Sequence, residues 1–399
     1  MSESNTSHGA PEAIGRRIAH LRKRAGLTQQ GLADLAHISR SLIQQVETGK
    51  KPATPSLIAA VARALKVDPA SVYGQPYRIS PSKDRVHDAI AEIRRILACG
   101  DVLADTGVPL RPVDTLAAEA DALLRLSKDS KHLQVAARLP AVLDELTVHA
   151  QVADSPRVWR ALNRAQSVAA SFARVLGYAD LAHAALQSAA YSAARADDEH
   201  LHRLVDLSRT TLLITIGAWD PALRLVQRAS AGMDLDTAEA RAVYGALQLR
   251  GAILSARAGR AGDAWEYHGR ASEVAERQPL RLPDYYGLQM NRGNVAIHGA
   301  AVAVELGDVD EAIRRDRGLK LGPGVSSERR AHHQIDMGRA LLAAGKHDQA
   351  LQRLTVARRI APQMTVYHPM AREIGMQLAS HYRRLPEELR LALTHMGLS

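Results

Sequence analysis

Apolar positions recur at intervals of three and four along nearly all of the 399 residues, the period of helices buried on one face. In the first seventy-five residues this pattern breaks into five short segments. Ile14, Ile18 and Leu21 share one face of a helix predicted over 12–25, which Gly26 stops. Thr28 is placed to cap a helix over 29–36, and Ser39 to cap one over 40–48 that Gly49 closes. A fourth helix is predicted over 56–65. Asp68 caps a last short one, with Pro69 at its first position and Gly74 at its end.

Beyond residue 75 two prolines and small polar residues mark a linker over 76–82. Helical periodicity then runs almost unbroken. The predicted helices are 83–98, 112–129, 131–152, 156–176, 179–195, 198–216, 220–231, 236–258 and 261–276, then 285–306, 308–320, 326–344, 346–361, 367–382 and 386–396. No run of alternating strand residues interrupts them. A spacing also repeats: a glycine, then Ala at five residues on, a variable position at nine and usually Ala at twelve. It occurs from Gly177, Gly217, Gly259, Gly307 and Gly345. Glycine supplies the left-handed turn that ends one helix, and the following positions share one face of the next. The expected fold is all-α: an N-terminal five-helix unit over 1–75, then an α-solenoid of helical hairpins over 83–399.

Composition narrows the class. Hydrophobic residues make up 46% of the chain and aromatic ones only 4%, which favours packed helices over sheets. No stretch of eighteen uninterrupted apolar residues suggests a membrane span. The polar start lacks the layout of a signal peptide, and the single Cys99 cannot form an internal disulfide, so a cytoplasmic location is expected. The formal charge is +10, and residues 1–78 carry eleven Lys and Arg against five Asp and Glu. Positive charge is therefore densest at the N-terminus, as where phosphates are met. No His-Glu-x-x-His, cysteine pair, phosphate-binding loop or Gly-x-Ser-x-Gly elbow suggests an enzyme, a cofactor or a metal. His200, His202, His332 and His333 lack ligand spacing and are expected to be exposed.

The segment from Leu27 to Lys50 resembles the helix-turn-helix of the lambdoid-repressor, or XRE, family. Thr28-Gln29, Leu32-Ala33, Ile38-Ser39, Ile43, Val46-Glu47, Gly49-Lys50 and the Asp68-Pro69 ending carry the resemblance, over roughly 12–75. Gly31, inside the second helix, is a mild departure. The third helix should turn Leu42, Ile43 and Val46 inward and Arg40, Ser41, Gln44 and Gln45 outward. Arg can bond guanine O6 and N7, and Gln adenine N6 and N7, along a major groove. The resemblance implies base reading by Arg40, Ser41 and Gln45, with Gln44 beside them. It implies a phosphate contact at Gln29, and Lys50, Lys51 and Thr54 are further phosphate candidates. It also implies a partly buried ion pair between Arg22 and Glu47. Such a unit is expected to bind double-stranded DNA as a homodimer on a near-palindromic operator.

The repeating spacing resembles the tetratricopeptide repeat. In the last copy Met337, Gly338, Leu341, Gly345, Ala350, Leu354, Ala357 and Pro362 fall on signature positions; the earlier copies keep only the turn and second helix. The first helices of such stacked hairpins line a concave surface. The layout is similar to that of bacterial quorum-sensing regulators that take short peptides in a repeat groove. Asn291 and Asn294 lie three residues apart on the predicted helix 285–306, and with Arg250 and Arg292 they form a candidate site for a peptide or small-molecule effector. The alternative is a DNA-tethered interaction protein whose repeat domain docks a partner protein without sensing an effector.

Overall fold

The computed structural model describes residues 13–77, 85–100, 102, 109–279, 285–322 and 324–398. Among them every regular element is helical. The N-terminal unit comprises α1 (Ile14–Arg24), α2 (Gln29–Ala36), α3 (Arg40–Glu47), α4 (Pro55–Leu65) and α5 (Pro69–Tyr73). Its caps are local chemistry. Thr28, Ser39, Thr54 and Asp68 each accept a backbone N–H of the first turn that follows, satisfying donors that a helix leaves unpaired. Glu12, the expected start of α1, lies outside the described residues, as does the linker beyond Tyr77.

The remainder opens with α6 (Arg85–Ala98), α7 (Val113–Lys128) and α8 (His132–Val152). Five helical hairpins follow: α9 (Pro156–Leu176) with α10 (Ala179–Ala193), α11 (Leu201–Thr215) with α12 (Trp219–Ser230), α13 (Ala238–Arg257) with α14 (Ala261–Glu276), α15 (Arg292–Leu306) with α16 (Val309–Arg317), and α17 (Ser327–Ala343) with α18 (His347–Ile360). The repeated glycines are their hinges. Gly177, Gly217, Gly259, Gly307 and Gly345 all have φ between 71° and 91°, a region open to glycine without steric cost. Five residues beyond each, Ala182, Ala222, Ala264, Ala312 and Ala350 are sealed between paired helices. The chain ends in α19 (Pro362–Tyr367), α20 (Pro369–His381) and α21 (Glu387–His395).

Two expectations about elements fail. The predicted helix 285–306 is instead a single 3-10 turn, Tyr285–Gly287, followed by α15. Tyr286 and Gln289 take positive φ there. Tertiary contacts hold them: the Tyr286 hydroxyl donates to Asp198 at 3.1 Å, and its ring meets His200 edge-on. The short α19 is the second difference, because Pro362 starts a helix there rather than only ending a repeat.

The N-terminal unit does not stand apart. Ile18, Leu32, Ile43 and Ile58 belong to one apolar cluster with Ile335, Leu354, Ile374 and Leu389 of the last helices. The Ile14 amide donates to Glu373 Oε2 at 3.1 Å, and the Ser56 hydroxyl donates to the Arg257 carbonyl at 3.1 Å. Arg372 stacks over the Tyr77 ring at 4.1 Å while donating to the carbonyls of Val366 and Met396. The solenoid thus holds the five-helix unit from both the Arg257 turn and the C-terminal end.

Candidate nucleic-acid interface and inner cavity

Helix α3 is amphipathic across its eight residues. Ile43 and Val46 are buried in the core, whereas Arg40, Ser41 and Gln44 are exposed. Gln45 is half-buried and donates to the Ser41 hydroxyl at 3.1 Å, so contact with a base edge would exchange one hydrogen bond for another. His37 enters the left-handed region at the end of α2, which turns the chain sharply enough for Ser39 to begin α3. Gly15 allows the close approach behind it, since a Cβ there would lie 2.0 Å from the Val46 carbonyl oxygen. Lys50, Lys51 and Thr54 are exposed on the following loop, with Thr54 also capping α4.

Under α3, Arg22 grips Glu47 with two parallel bonds, Nε to Oε1 at 2.6 Å and Nη2 to Oε2 at 2.9 Å. A third Arg22 donor reaches the Leu27 carbonyl at 2.8 Å, and the Gln29 amide adds a bond to Glu47 Oε2 at 2.8 Å. Burial pushes the Glu47 carboxyl up, but the bonds from Arg22 and Gln29 outweigh it and hold the pKa below its ordinary value. The network ties α1, α2 and α3 together. It also engages the Gln29 side chain, leaving the Gln29 and Gln30 amides, ahead of the Gly31 amide that Thr28 caps, as the donors at that end.

A cavity of about 480 Å³ lies inside the solenoid. Its walls come largely from the first helices of the hairpins, α9, α11, α13, α15 and α17; of the second helices only α10 adds to the described lining, through Ala179, Ala182 and Leu186. Ile58, Ala59, Pro69, Tyr73 and Gln75 of the N-terminal unit form part of the same wall. The lining mixes apolar side chains, among them Leu204, Leu207, Leu249, Ile253 and Ile297, with charged ones. Glu305 joins Arg257 at 3.0 Å and Arg339 at 2.9 Å; burial pushes its pKa up, and the two guanidinium groups overcome this to hold it at about 2.

Of the four residues expected at an effector site, the structure brings two into this cavity. Asn294 is buried on α15 and Arg250 faces it from α13. Asn291 and Arg292 do not line it. Because the chain before Asn291 is not helical, Asn291 is the N-cap of α15: its Oδ1 accepts the Asn294 amide at 3.0 Å and its Nδ2 donates to the Gly324 carbonyl at 3.0 Å. Arg292, the first residue of the helix, points to solvent. The histidines need correction too. His200 and His333 are buried, the latter bonded to Asp316 at 2.8 Å, and His332 faces the cavity; only His202 is exposed. First helices are packed on both sides along most of their length, so polar residues such as His332 and His333 meet cavity or protein, while His202 and Arg292, in the first turns of their helices, still reach water.

The helix-turn-helix domain family matches residues 13–72. A competence pilus inhibition repressor of Acinetobacter baylyi is 38% identical over 60 residues, which are 15% of this chain and 54% of that protein. The chain thus spans about half the length of that relative. The immunity repressor protein of Bacillus phage phi105 is 31% identical over 106 residues, 24% of this chain and 73% of that protein. The chain belongs to the helix-turn-helix repressor family. Two solved PrgX structures align along most of this repressor-family chain: a point mutant at 10% identity and a TM-score of 0.25, covering 95% of this chain and 98% of that one, and a PrgX/iCF10 complex at 9% and 0.28, covering 94% and 98%. Scores this low carry no argument.

What sequence reasoning missed in this repressor-family protein is the set of charged groups in the cavity. Arg174, Glu328, Arg329 and His332 line it together with Arg250. They come from α9, α13 and α17, helices far apart in the chain, and only the tertiary stacking brings them together. The one available signal was the repeat itself, which identifies α9, α13 and α17 as first helices and so as the source of any inner surface.

Proposed function

We propose that this chain is a transcriptional regulator that binds a near-palindromic operator as a homodimer and responds to a peptide or small-molecule effector held in the inner cavity. In this reading α3 enters the major groove. Arg40, Ser41, Gln44 and Gln45 read base edges there, and the α2 N-terminus at Gln29, with Lys50, Lys51 and Thr54, meets phosphates. The helical domain then acts as a tetratricopeptide-like sensor. One observation carries the proposal: the wall of the cavity includes α4 and α5, which pack on α2 and α1, the two helices that hold the recognition helix. An effector that prefers one arrangement of this wall changes DNA affinity by its differential binding energy, typically about 1–3 kcal/mol. A concave, part-apolar and part-charged cavity also favours an effector over a docked partner protein, which needs a broad exposed face. Selection of random duplexes by the full chain tests the DNA half. The expected product is a motif of two related half-sites about one helical turn apart; recovery of no motif at all counts against it.

A further inference from the structure

Charge inside the cavity does not balance. Arg164 is ion-paired with Asp121, Arg257 with Glu305, and Arg339 with Glu305 and Asp336. Arg174, Arg250 and Arg329 differ. All three line the same wall; the Arg250 Nε is buried with no partner, and among the described residues no hydrogen bond or ion pair engages the Arg174 or Arg329 guanidinium. They converge: burial first, then the charges of Arg329, Arg174 and Arg257, lower the Arg250 pKa to about 9. Glu328 is the carboxylate among them, and it is shared with Lys128 and His332 as well as Arg174 and Arg329. Burial of like charges without partners is costly, and a site is not built this way for stability alone. Asn294 adds an amide oxygen without a partner. Leu204, Leu207, Leu249 and Ile253 face the same space.

We propose that the cavity binds an amphipathic anion, its carboxylate or phosphate head bonded by Arg174, Arg250 and Arg329 and its apolar body laid against α11 and α13. Guanidinium forks match both oxyanions in a bidentate way, and they bond most strongly where water is excluded. Asn294 completes the head-group site by accepting an N–H or hydroxyl of the ligand. Bound charge of this sign neutralises the cluster and draws α9, α13 and α17 toward one point. Because Tyr73 and Gln75 share that wall, closure reaches the DNA-binding unit. The proposal rests on the effector reading above and names the effector's chemistry.

The test uses the full-length protein and defined probes: octanoate, octyl phosphate and a Leu-Ile-Val-Leu tetrapeptide as its free acid. Octan-1-ol and the tetrapeptide amide are the neutral controls. Calorimetry and thermal melts should show binding and a raised Tm for at least one anion and none for its neutral counterpart. The responding anion tells a phosphate head from an alkyl or peptide carboxylate. Arg250→Met and Arg329→Met should each weaken that binding at least about tenfold. Arg250→Met should also raise the Tm of the ligand-free protein, because it removes a charge whose Nε is buried without a partner. Equal binding of acid and neutral forms, or no binding of any anion, overturns the proposal. So does a ligand-free Tm lowered by Arg250→Met with anion affinity unchanged. DNA selection run in parallel separates the two readings: operator binding without any anion response sinks only the ligand class, whereas absence of operator binding sinks the regulator reading itself.

Discussion

Single side chains on the N-terminal unit divide into those that would read bases, those that would meet phosphates and those that hold the scaffold. Arg40→Ala or Gln45→Ala should cost about 1–3 kcal/mol on the selected operator and relax preference at one base position. Lys51→Ala should weaken all sequences alike and reduce the salt slope by about one unit. Binding selections at two salt concentrations check both, and unchanged base preference in Arg40→Ala would put α3 outside the groove. Glu47 belongs to the scaffold, with Arg22 and Glu47 side chains only 10% and 5% exposed. Losing the carboxylate leaves Arg22 charged and uncompensated, a loss of about 3 kcal/mol. Glu47→Ala should therefore abolish DNA binding by loosening the unit, seen as a lower melting midpoint. The pH dependence has a definite sign. The folded pKa of Glu47 lies below its unfolded value, so its contribution is present above about pH 4.5 and lost as pH falls through the folded value. Glu47→Gln should flatten the acid limb of a stability-against-pH curve.

At the scale of elements, two glycines on neighbouring helices should behave in opposite ways. Gly15 on α1 sits against the α3 backbone, where an added Cβ would overlap the Val46 carbonyl at 2.0 Å. No rotamer relieves a clash with backbone, so Gly15→Ala must push α1 and α3 apart and should lower both Tm and operator affinity. Gly31 on α2 has room: its added Cβ would lie 3.4 Å from Thr28 Oγ1 and 3.7 Å from Leu27. Gly31→Ala should raise stability by up to about 1 kcal/mol through helix propensity alone. Melts of the two full-length variants decide the matter, and a stabilised Gly15→Ala would contradict the close packing. In sequence Gly31 alone stands out, as a departure from its helical pattern. Only the position of α3 tells them apart.

For the whole molecule, the question is how a cavity lined mostly by residues of the helical domain could influence α3. Gly217 offers a route that involves neither DNA nor ligand. It occupies the left-handed turn between α11 and α12 with φ 72°, and an added Cβ would lie 2.4 Å from Ala59 Cβ on α4. Gly259 occupies the matching turn of the next hairpin with φ 74°, and nothing lies within 4 Å of its would-be Cβ. Gly217→Ala and Gly259→Ala should therefore lose similar stability from turn strain, of order 1 kcal/mol. Only Gly217→Ala should also shift operator affinity, because it alone presses on the DNA-binding unit. Equal operator affinities in the two variants would show that the contact with α4 carries no coupling. Much of this architecture was legible in the residue pattern. The caps at Thr28, Ser39 and Asp68 and the glycine hinges depend on neighbours a few residues away, so local chemistry set nearly every helix before packing was known. The same holds for the split of α3 into a buried face at Ile43 and Val46 and an exposed face at Arg40 and Ser41. Local rules failed at Asn291, where Tyr286 is held by Asp198, nearly ninety residues earlier in the chain. They could not show that the N-terminal unit shares its core with Ile335 and Ile374, nor that Arg174, Arg250 and Arg329 face one another. Periodicity tells which side of a helix is buried; what lies across from that side is settled by the curvature of the stack and the packing of helices distant in sequence.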